Sequence, residues 1–246
     1  MSLKLSQVVA VVLAGGFGTR VAHLLGGVPK PMVPVAGKPF LEWVVRCLAR
    51  QGVAEVILST GHLAHVVEQY FQSQPVKGVV THCVAEPRPL GTAGGFLNAV
   101  RFHGAAPEAW LVANGDSLVF ADLAAAAAEL DDPAVAGVIV GCAVADASRY
   151  GTLAIGPNGE LQGFTEKRPG RGIISAGMYL LRDSLVRQFP GALPLSFEQA
   201  VFPQLIARGT LLRVCAVEAP FLDIGTPASL RQAEAFVGQN RARFGE

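Results

Sequence analysis

An apolar run that ends abruptly in glycines, close to the N-terminus, constrains this chain more than any other feature. Residues Val8 to Leu13 are apolar and rich in β-branched side chains, which favours a buried parallel strand over a helix. The segment Ala14 to Gly18 contains three glycines, which let the backbone turn sharply and bring its N–H groups close to an anion. Thr19-Arg20 follows directly, and Lys30 stands between two prolines. A backbone cradle with two cations predicts a triphosphate site at the end of the strand.

Two familiar phosphate-binding motifs do not fit this segment. Gly16-x-Gly18 begins like a dinucleotide fingerprint, but Val21 stands where the third glycine should be. The chain has no G-x-x-x-x-G-K-[ST] sequence, which excludes an ordinary P-loop NTPase. A glycine-rich turn that binds nothing is the alternative, and the additional cation at Lys30 argues against it.

Length and charge limit the remaining classes of protein. The 246 residues, of which 51% are hydrophobic, suffice for one α/β domain with a large core. A formal net charge of +1 provides no broad basic surface for nucleic acid. We therefore expect a local anion site and no nucleic-acid partner.

Cysteine usage and the short N-terminal apolar run bear on location. No cysteine belongs to a C-x-x-C pair, which favours buried, inert thiols in a reducing cytosol. The cysteines are Cys47, Cys83, Cys142 and Cys215. The apolar run is far shorter than a membrane span and shows no evident cleavage site. We expect a cytoplasmic protein with no membrane partner.

Strands alternate with helices in residues 1–133, and this alternation predicts a parallel, doubly wound sheet. Thr92 is predicted to cap a helix that begins at Ala93. Ligands in such sheets bind beyond the carboxyl ends of the strands. The stretches richest in chemical groups follow predicted strands, at Gly15 to Arg20, Glu86 to Thr92 and Asn114 to Asp116.

Residues 134–246 differ in character. Strand-like segments dominate, and Pro157-Asn158-Gly159 is a hairpin turn signal between two of them. This pattern predicts an antiparallel extension laid over the first sheet. Because there is no repeat and no Pro/Ser-rich linker, we expect a single domain over residues 1–246.

Two aspartates are candidate metal ligands. Asp116 ends an apolar strand, where a carboxylate that faces a triphosphate is a natural Mg²⁺ ligand. Asp223 lies between apolar residues, where burying an unpaired carboxylate would be costly. Binding one Mg²⁺ together with phosphate oxygens would remove that cost. A helix cap or a buried salt bridge is the alternative for each.

The motifs together resemble a known family over nearly the whole chain. L-A-G-G-x-G-T-R followed by P-K-P, the central N-G-D, a later E-K and D-I-G-T-P make the sequence similar to the sugar-phosphate nucleotidylyltransferases. Within that family it looks most like the D-glycero-α-D-manno-heptose 1-phosphate guanylyltransferases. The cues are V-P-K-P-M-V-P-V, P-L-G-T-A-G-G, S-F-E-Q and F-L-D-I-G-T-P-A-S-L.

The resemblance implies a Rossmann-like three-layer α/β/α fold with a mainly parallel central sheet. It implies GTP and a sugar 1-phosphate as substrates, Mg²⁺ as cofactor, and Asp116 and Asp223 as metal ligands. The implied catalytic residues are Arg20, Lys30, Asp116 and Lys167. The implied nucleotide-binding residues are Leu13, Ala14, Gly15, Gly16, Gly18, Thr19, Arg20, Lys30, Glu86, Pro89, Gly91, Thr92, Asn114, Gly115 and Asp116. The implied sugar-phosphate-binding residues are Gly151, Glu166, Lys167, Ser175, Ala176 and Gly177.

Residues 1–133 are expected to bind the nucleotide, and residues 134–246 to bind the sugar and complete the metal site.

The exact activity stays open at this stage. Alternative activities are a mannose 1-phosphate guanylyltransferase and a UTP- or dTTP-dependent hexose or N-acetylmuramate 1-phosphate nucleotidyltransferase. A non-catalytic nucleotide-sugar sensor is a third. A Glu86 carboxylate suits the N–H donors of guanine, whereas Ser175 stands where relatives often carry asparagine. Relatives often assemble, so a homodimer is possible.

Overall fold

The computed structural model describes residues 3–16, 18–21, 23, 25–165 and 169–245. Within them the strands are β1 (Val9–Ala14), β2 (Pro34–Val35), β3 (Lys38–Pro39), β4 (Glu55–Thr60), β5 (Val80–Ala85), β6 (Ala109–Asn114), β7 (Ser117–Val119), β8 (Gly137–Val144), β9 (Thr152–Ile155), β10 (Leu161–Thr165), β11 (Gly172–Arg182), β12 (Leu212–Val217) and β13 (Phe221–Asp223). The α-helices are α1 (Phe40–Arg50), α2 (Ala64–Ser73), α3 (Thr92–His103), α4 (Leu123–Ala128), α5 (Asp183–Val186), α6 (Phe202–Ala207) and α7 (Pro227–Gln239).

The N-terminal apolar run forms β1, as its composition predicts. Ala10 and Val12 pack into one hydrophobic core, and Val9 and Val11 pack into a second. Both faces of the strand are therefore buried, which explains why its residues are apolar without alternation. The two cores lie between the sheet and the helices that cover each face.

One mixed sheet runs through both halves of the chain. The described residues form nine strands of it, with β10-β9-β11-β6-β1-β4-β5 in order and β8 joining β11 to β12. β1 pairs in parallel with β4 and β6, and β4 pairs in parallel with β5. The mainly parallel centre is confirmed. The prediction that the antiparallel strands lie over this sheet is wrong, because β11 pairs edge to edge with β6 and extends the same sheet.

Helix boundaries differ from the sequence prediction at two sites. α3 begins at Thr92, with Gly91 at the N-cap in a positive-φ conformation of +78°. Thr92 is therefore not the cap, and its Oγ1 instead accepts a hydrogen bond of 3.1 Å from the Phe197 N–H. The sequence between Phe197 and Arg208 also predicts one continuous helix, whereas the structure has a π-helical segment, Phe197–Val201, that leads into α6. The sequence predicts a closing helix from Pro227 to Gln239, and α7 has these bounds.

The cysteines are free thiols in partly different environments. Cys47 and Cys142 are buried as predicted, but Cys83 and Cys215 are only half-buried. Burial raises the pKa of Cys47 and of Cys83 to about 11, so both thiols stay protonated near neutral pH. In the part of the chain that the structure describes, no helix is long and apolar enough to cross a membrane.

Candidate active site

A first cavity of about 320 Å³ opens beyond the carboxyl ends of β1 and β6. This is where an open α/β sheet binds its ligands. The cavity is lined by Leu13, Ala14, Gly15, Gly16, Gly18, Lys30, Pro31, Glu86, Pro89, Gly91, Thr92, Asn114 and Asp116.

Lys30 reaches this cavity from a short 3₁₀ turn, Lys30–Met32. Its ammonium forms an ion pair with Asp116 Oδ2, and the residue is only 9% exposed. Gly18 has a φ of +59°, and a Cβ on it would lie 2.8 Å from the Lys30 Cβ. Any larger residue at position 18 would be strained and would displace the lysine stem. The glycine loop and Lys30 therefore depend on each other sterically.

Glu86 lines the same cavity and comes directly after β5. Its Oε2 accepts a hydrogen bond of 3.0 Å from the Leu90 N–H, and its Oε1 accepts one of 3.3 Å from Ser59 Oγ. Burial raises the pKa of Glu86, and these two hydrogen bonds oppose that shift. The carboxylate thus shapes the loop that precedes α3, whatever ligand it faces.

Replacement by alanine should change the free energy of unfolding in opposite directions at two helical glycines, Gly95 and Gly238. A Cβ on Gly95, in α3, would lie 2.6 Å from Glu86 Oε1 and 2.9 Å from Ser59 Oγ. Gly95→Ala should therefore lower the free energy of unfolding by about 1–3 kcal/mol, the range typical of overpacking. The matched control is Gly238→Ala in α7, where a Cβ meets no atom within 4 Å. The control should gain about 0.5–1 kcal/mol. Urea unfolding measures both, and equal shifts would contradict the packing described for Glu86.

A second cavity of about 330 Å³ adjoins the first, because Asn114 and Asp116 line both. Its remaining lining residues come largely from the second half of the chain. They are Arg20, Ser117, Arg149, Tyr150, Gly151, Ser175, Ala176, Gly177, Glu198, Phe221, Asp223 and Gly225.

A two-stranded antiparallel ribbon brings the two predicted metal aspartates to one wall. β7 pairs with β13 so that Ser117 stands opposite Asp223. The Ile224 N–H donates to the Asp116 main-chain oxygen at 2.9 Å and extends this pairing. Asp116, directly before β7, and Asp223, at the end of β13, therefore lie close together and line the same cavity.

Both aspartates carry positively charged or hydrogen-bonding partners. Arg149 Nη2 lies 3.1 Å from Asp223 Oδ2, and the Gly225 N–H donates to Asp223 Oδ1 at 2.9 Å. The Tyr150 hydroxyl also donates to Asp223. Burial and this hydrogen bond raise the pKa of Tyr150, so its hydroxyl keeps its proton at neutral pH. Asp116 also has a cationic partner, because its carboxylate forms an ion pair with the Lys30 ammonium.

An irregularity in β11 shapes the far wall of the second cavity. The register of β11 against β8 shifts between Ser175 and Tyr179, as in a β-bulge. Gly177, inside this shift, has a φ of +69°, and a Cβ there would collide with the Asn114 side chain. Glycine at position 177 therefore lets Asn114 stand between the two cavities.

Glu198 is a residue that the sequence interpretation missed. It lines the second cavity, and its Oε1 accepts a hydrogen bond of 3.2 Å from the buried Tyr179 hydroxyl. The Tyr179 hydroxyl also lies 3.4 Å from Ser175 Oγ. The Ser196 side chain caps the π-helical segment by accepting a hydrogen bond from the Gln199 N–H. This capping role accounts for Ser196, and it does not indicate that Glu198 belongs to a ligand site. Arg149, Tyr150 and Ser117 were missed for a similar reason, since nothing in their spacing indicates a ligand.

The structure brings most of the predicted site residues together. Every predicted nucleotide-binding residue lines the first cavity except Thr19, Arg20 and Gly115. Arg20 lines the second cavity instead, and the Gly115 N–H donates to the Leu13 main-chain oxygen beneath the first. Gly151, Ser175, Ala176 and Gly177 all line the second cavity. Glu166 and Lys167 lie outside the described residues.

The donor set is compatible with Mg²⁺. Magnesium is commonly held by one or two carboxylates together with substrate phosphates and water, all hard oxygen ligands. Asp116 and Asp223 supply two such carboxylates on one wall, and each already has a cationic partner. Among the described residues there is no group of three or more His, Cys, Asp or Glu that could hold a metal alone. Water and, when substrate is bound, phosphate oxygens would therefore complete the coordination.

The parallel sheet, the glycine loop and the paired cavities define a nucleotidyltransferase. The chain belongs to the NTP_transferase family, described as nucleotidyl transferase, whose model matches residues 9–240. It is 32% identical over 219 residues to a D-glycero-α-D-manno-heptose 1-phosphate guanylyltransferase from Campylobacter jejuni, covering 89% of this chain and 95% of that protein. It is 34% identical over 237 residues to a mannose-1-phosphate guanylyltransferase from Mycobacterium tuberculosis, covering 93% of this chain and 64% of that one.

A solved structure supports the same assignment. The crystal structure of HddC from Yersinia pseudotuberculosis complexed with GMP-PN matches with a TM-score of 0.79 and 32% identity. The match covers 93% of this chain and 98% of that one. The predicted family and fold are confirmed.

Proposed function

We propose that this protein transfers GMP from GTP to a sugar 1-phosphate, giving a GDP-sugar and pyrophosphate in a Mg²⁺-dependent reaction. The observation that carries the proposal is the pair of adjoining cavities that share Asn114 and Asp116. One cavity offers the glycine loop and Lys30 to a nucleotide. The other offers the polar groups around Glu198 to a phosphorylated sugar. D-glycero-α-D-manno-heptose 1-phosphate is the first choice of sugar, because the Campylobacter relative carries that name over 89% of this chain.

The reaction is a direct in-line displacement. An oxygen of the sugar 1-phosphate attacks the α-phosphorus of GTP. The bond from that phosphorus to the oxygen that bridges the α- and β-phosphates breaks, and this oxygen leaves with the pyrophosphate. No general base is required, because a phosphate monoester is largely ionised at pH 7, its second pKa being about 6. The chain then contributes alignment and charge stabilisation. Lys30 is assigned to the α-phosphate, Arg20 to the departing pyrophosphate and Lys167 to the attacking phosphate.

Asp116 and Asp223 would hold the Mg²⁺. When bound, the ion supplies Lewis-acid stabilisation of negative charge on the phosphate oxygens. Both carboxylates must be ionised for this role.

A matrix of substrates tests the proposal. The purified protein would be incubated with Mg²⁺, each of GTP, ATP, UTP and dTTP, and a panel of sugar 1-phosphates, with pyrophosphate release as the readout. The panel contains D-glycero-α-D-manno-heptose, mannose, glucose and N-acetylmuramate 1-phosphates. We expect the highest kcat/KM with GTP and the heptose. Preference for mannose would select the activity named for the Mycobacterium relative. Tight binding without pyrophosphate release would instead support a nucleotide-sugar sensor.

Glu198→Gln should raise the KM for the sugar 1-phosphate. Tyr179 holds one carboxylate oxygen, which leaves the other to accept hydrogen bonds from sugar hydroxyls. Loss of a hydrogen bond to a charged group costs about 1.5–3 kcal/mol, so the KM should rise about tenfold or more. The KM for GTP should stay within about twofold. Initial-rate kinetics check this, with the exposed Glu234→Gln in α7 as the control. An unchanged sugar KM would remove Glu198 from the sugar site.

Further parts of the proposal concern the cellular setting. We infer a cytoplasmic location, because four free thiols are typical of a reducing compartment. The GDP-sugar product would serve as an activated donor for capsule or lipopolysaccharide synthesis. A homodimer stays a prediction.

A further inference from the structure

Arg149 lies on the wall of the second cavity and forms an ion pair with Asp223. Its Nη2 lies 3.2 Å from Oδ1 and 3.1 Å from Oδ2 of Asp223, so one nitrogen spans both carboxylate oxygens. Its guanidinium carbon lies 5.2 Å from the centroid of the Tyr150 ring. The Arg149 side chain is 45% exposed, whereas that of Asp223 is 15% exposed. The arginine thus covers the carboxylate from the open side of the cavity.

This arrangement conflicts with a metal role for Asp223 unless the arginine moves. The oxygens that would ligate a divalent cation are the ones that the guanidinium contacts, and two cations on one carboxylate repel each other. Because the Arg149 side chain is substantially exposed, its ion pair with Asp223 is weak enough to exchange. A divalent ion at Asp223 would therefore displace the guanidinium.

The displaced guanidinium would remain in the second cavity. Its stacking on Tyr150 restricts the distance that it can move. The planar guanidinium fork suits two oxygens of a phosphate group. Among the described residues that line this cavity, Arg20 and Arg149 are the cationic side chains. Arg20 is already assigned to the pyrophosphate.

We propose that Arg149 binds the phosphate of the sugar 1-phosphate and is held on Asp223 until a divalent cation takes that carboxylate. Metal binding would then prepare the acceptor site, so that the sugar phosphate meets a free guanidinium only after the metal is present. This inference rests on the proposed function. It adds a phosphate-binding residue to that function and an order to the binding events.

The test uses two readouts on the full chain, with Arg149→Met as the main variant. Mn²⁺ is titrated into protein without nucleotide and followed by electron paramagnetic resonance. Removing the competing cation should lower the Mn²⁺ Kd by about two- to fivefold, which matches the strength of an exposed ion pair. In pyrophosphate-release kinetics, the same variant should raise the KM for the sugar 1-phosphate about tenfold or more, with the KM for GTP within about twofold. A merely structural role would not tighten metal binding.

Two further variants keep the result interpretable. Arg149→Lys keeps the charge but loses the planar fork, so its Mn²⁺ Kd should stay near that of the unaltered protein while the sugar KM rises. If Arg149→Met does not fold, Arg149→Lys still tests the phosphate-binding role through the KM for the sugar 1-phosphate. Arg187→Met replaces an exposed arginine just after α5 and should change neither readout. An unchanged or weaker Mn²⁺ affinity in Arg149→Met, or an unchanged sugar KM, would overturn the inference. Absence of turnover by the unaltered protein would instead refute the proposed function itself.

Discussion

Lys30→Met should lower kcat by about a hundredfold to a thousandfold, which corresponds to about 2.7–4 kcal/mol of barrier. The ammonium is buried beside the glycine loop, where water cannot replace it as a partner for phosphate charge. Methionine keeps most of the aliphatic stem that packs on Gly18, so the loop should retain its shape. Pyrophosphate release under saturating GTP and sugar 1-phosphate measures the effect.

A surface lysine provides the control for this substitution. Lys77→Met changes an exposed residue and should leave kcat within about twofold. Lys30→Ala should lose turnover in the same way and additionally lose the packing on Gly18. If Lys30→Met turned over substrate at a nearly normal rate, Lys30 could not be the group that stabilises charge at the α-phosphate.

Asp223→Asn should also lower turnover by about a hundredfold or more, because it removes one of two carboxylates proposed to hold Mg²⁺. Asparagine has a similar shape and can still accept a hydrogen bond from the Gly225 N–H. The fold should therefore survive, while the Mg²⁺ concentration required for half-maximal activity rises. Rates measured over a range of Mg²⁺ concentrations, together with a direct Mn²⁺ titration, separate weakened metal binding from a misfolded site.

The matched control for this substitution is Asp131→Asn, at an exposed aspartate near the end of the α4 segment. It should affect neither the Mg²⁺ dependence nor kcat. Asp223→Ala should lose as much turnover and, in addition, the hydrogen bonds that Gly225 and Tyr150 now donate. A normal Mg²⁺ dependence in Asp223→Asn would remove this residue from the metal site.

The parallel part of the fold was predictable because its signals are local. β1 is apolar on both faces, and the glycines that follow it mark the end of the strand without any knowledge of its neighbours. The parallel direction of β1 relative to β4 and β6 then follows from the alternation of strands and helices. The edge position of the antiparallel strands was not predictable in this way. Pairing between β11 and β6 depends on which edge is free once the parallel strands have assembled.

The residues around the two cavities divide in the same way, into those that local sequence predicts and those that it does not. The glycine loop, Lys30 and Glu86 were identified from their own segments, and the structure places all of them around the first cavity. Glu198 belongs to the S-F-E-Q motif that supports the family resemblance, but neither Glu198 nor Arg149 was assigned to the site, because nothing in their own segments indicates a ligand. Their significance comes from partners distant in the chain, such as Asp223 for Arg149 and Tyr179 for Glu198.

By itself, the sequence determined the strand-and-glycine cradle, the family and the residues able to carry charge at a phosphate site, since these depend on residue type and short spacing. Only the tertiary structure decided which of those charges meet. The ribbon of β7 and β13 sets Asp223 beside Asp116, and the Arg149–Asp223 contact joins residues 74 positions apart. Local backbone preference cannot encode such contacts, because they form only when the sheet has brought both halves of the chain to the same edge.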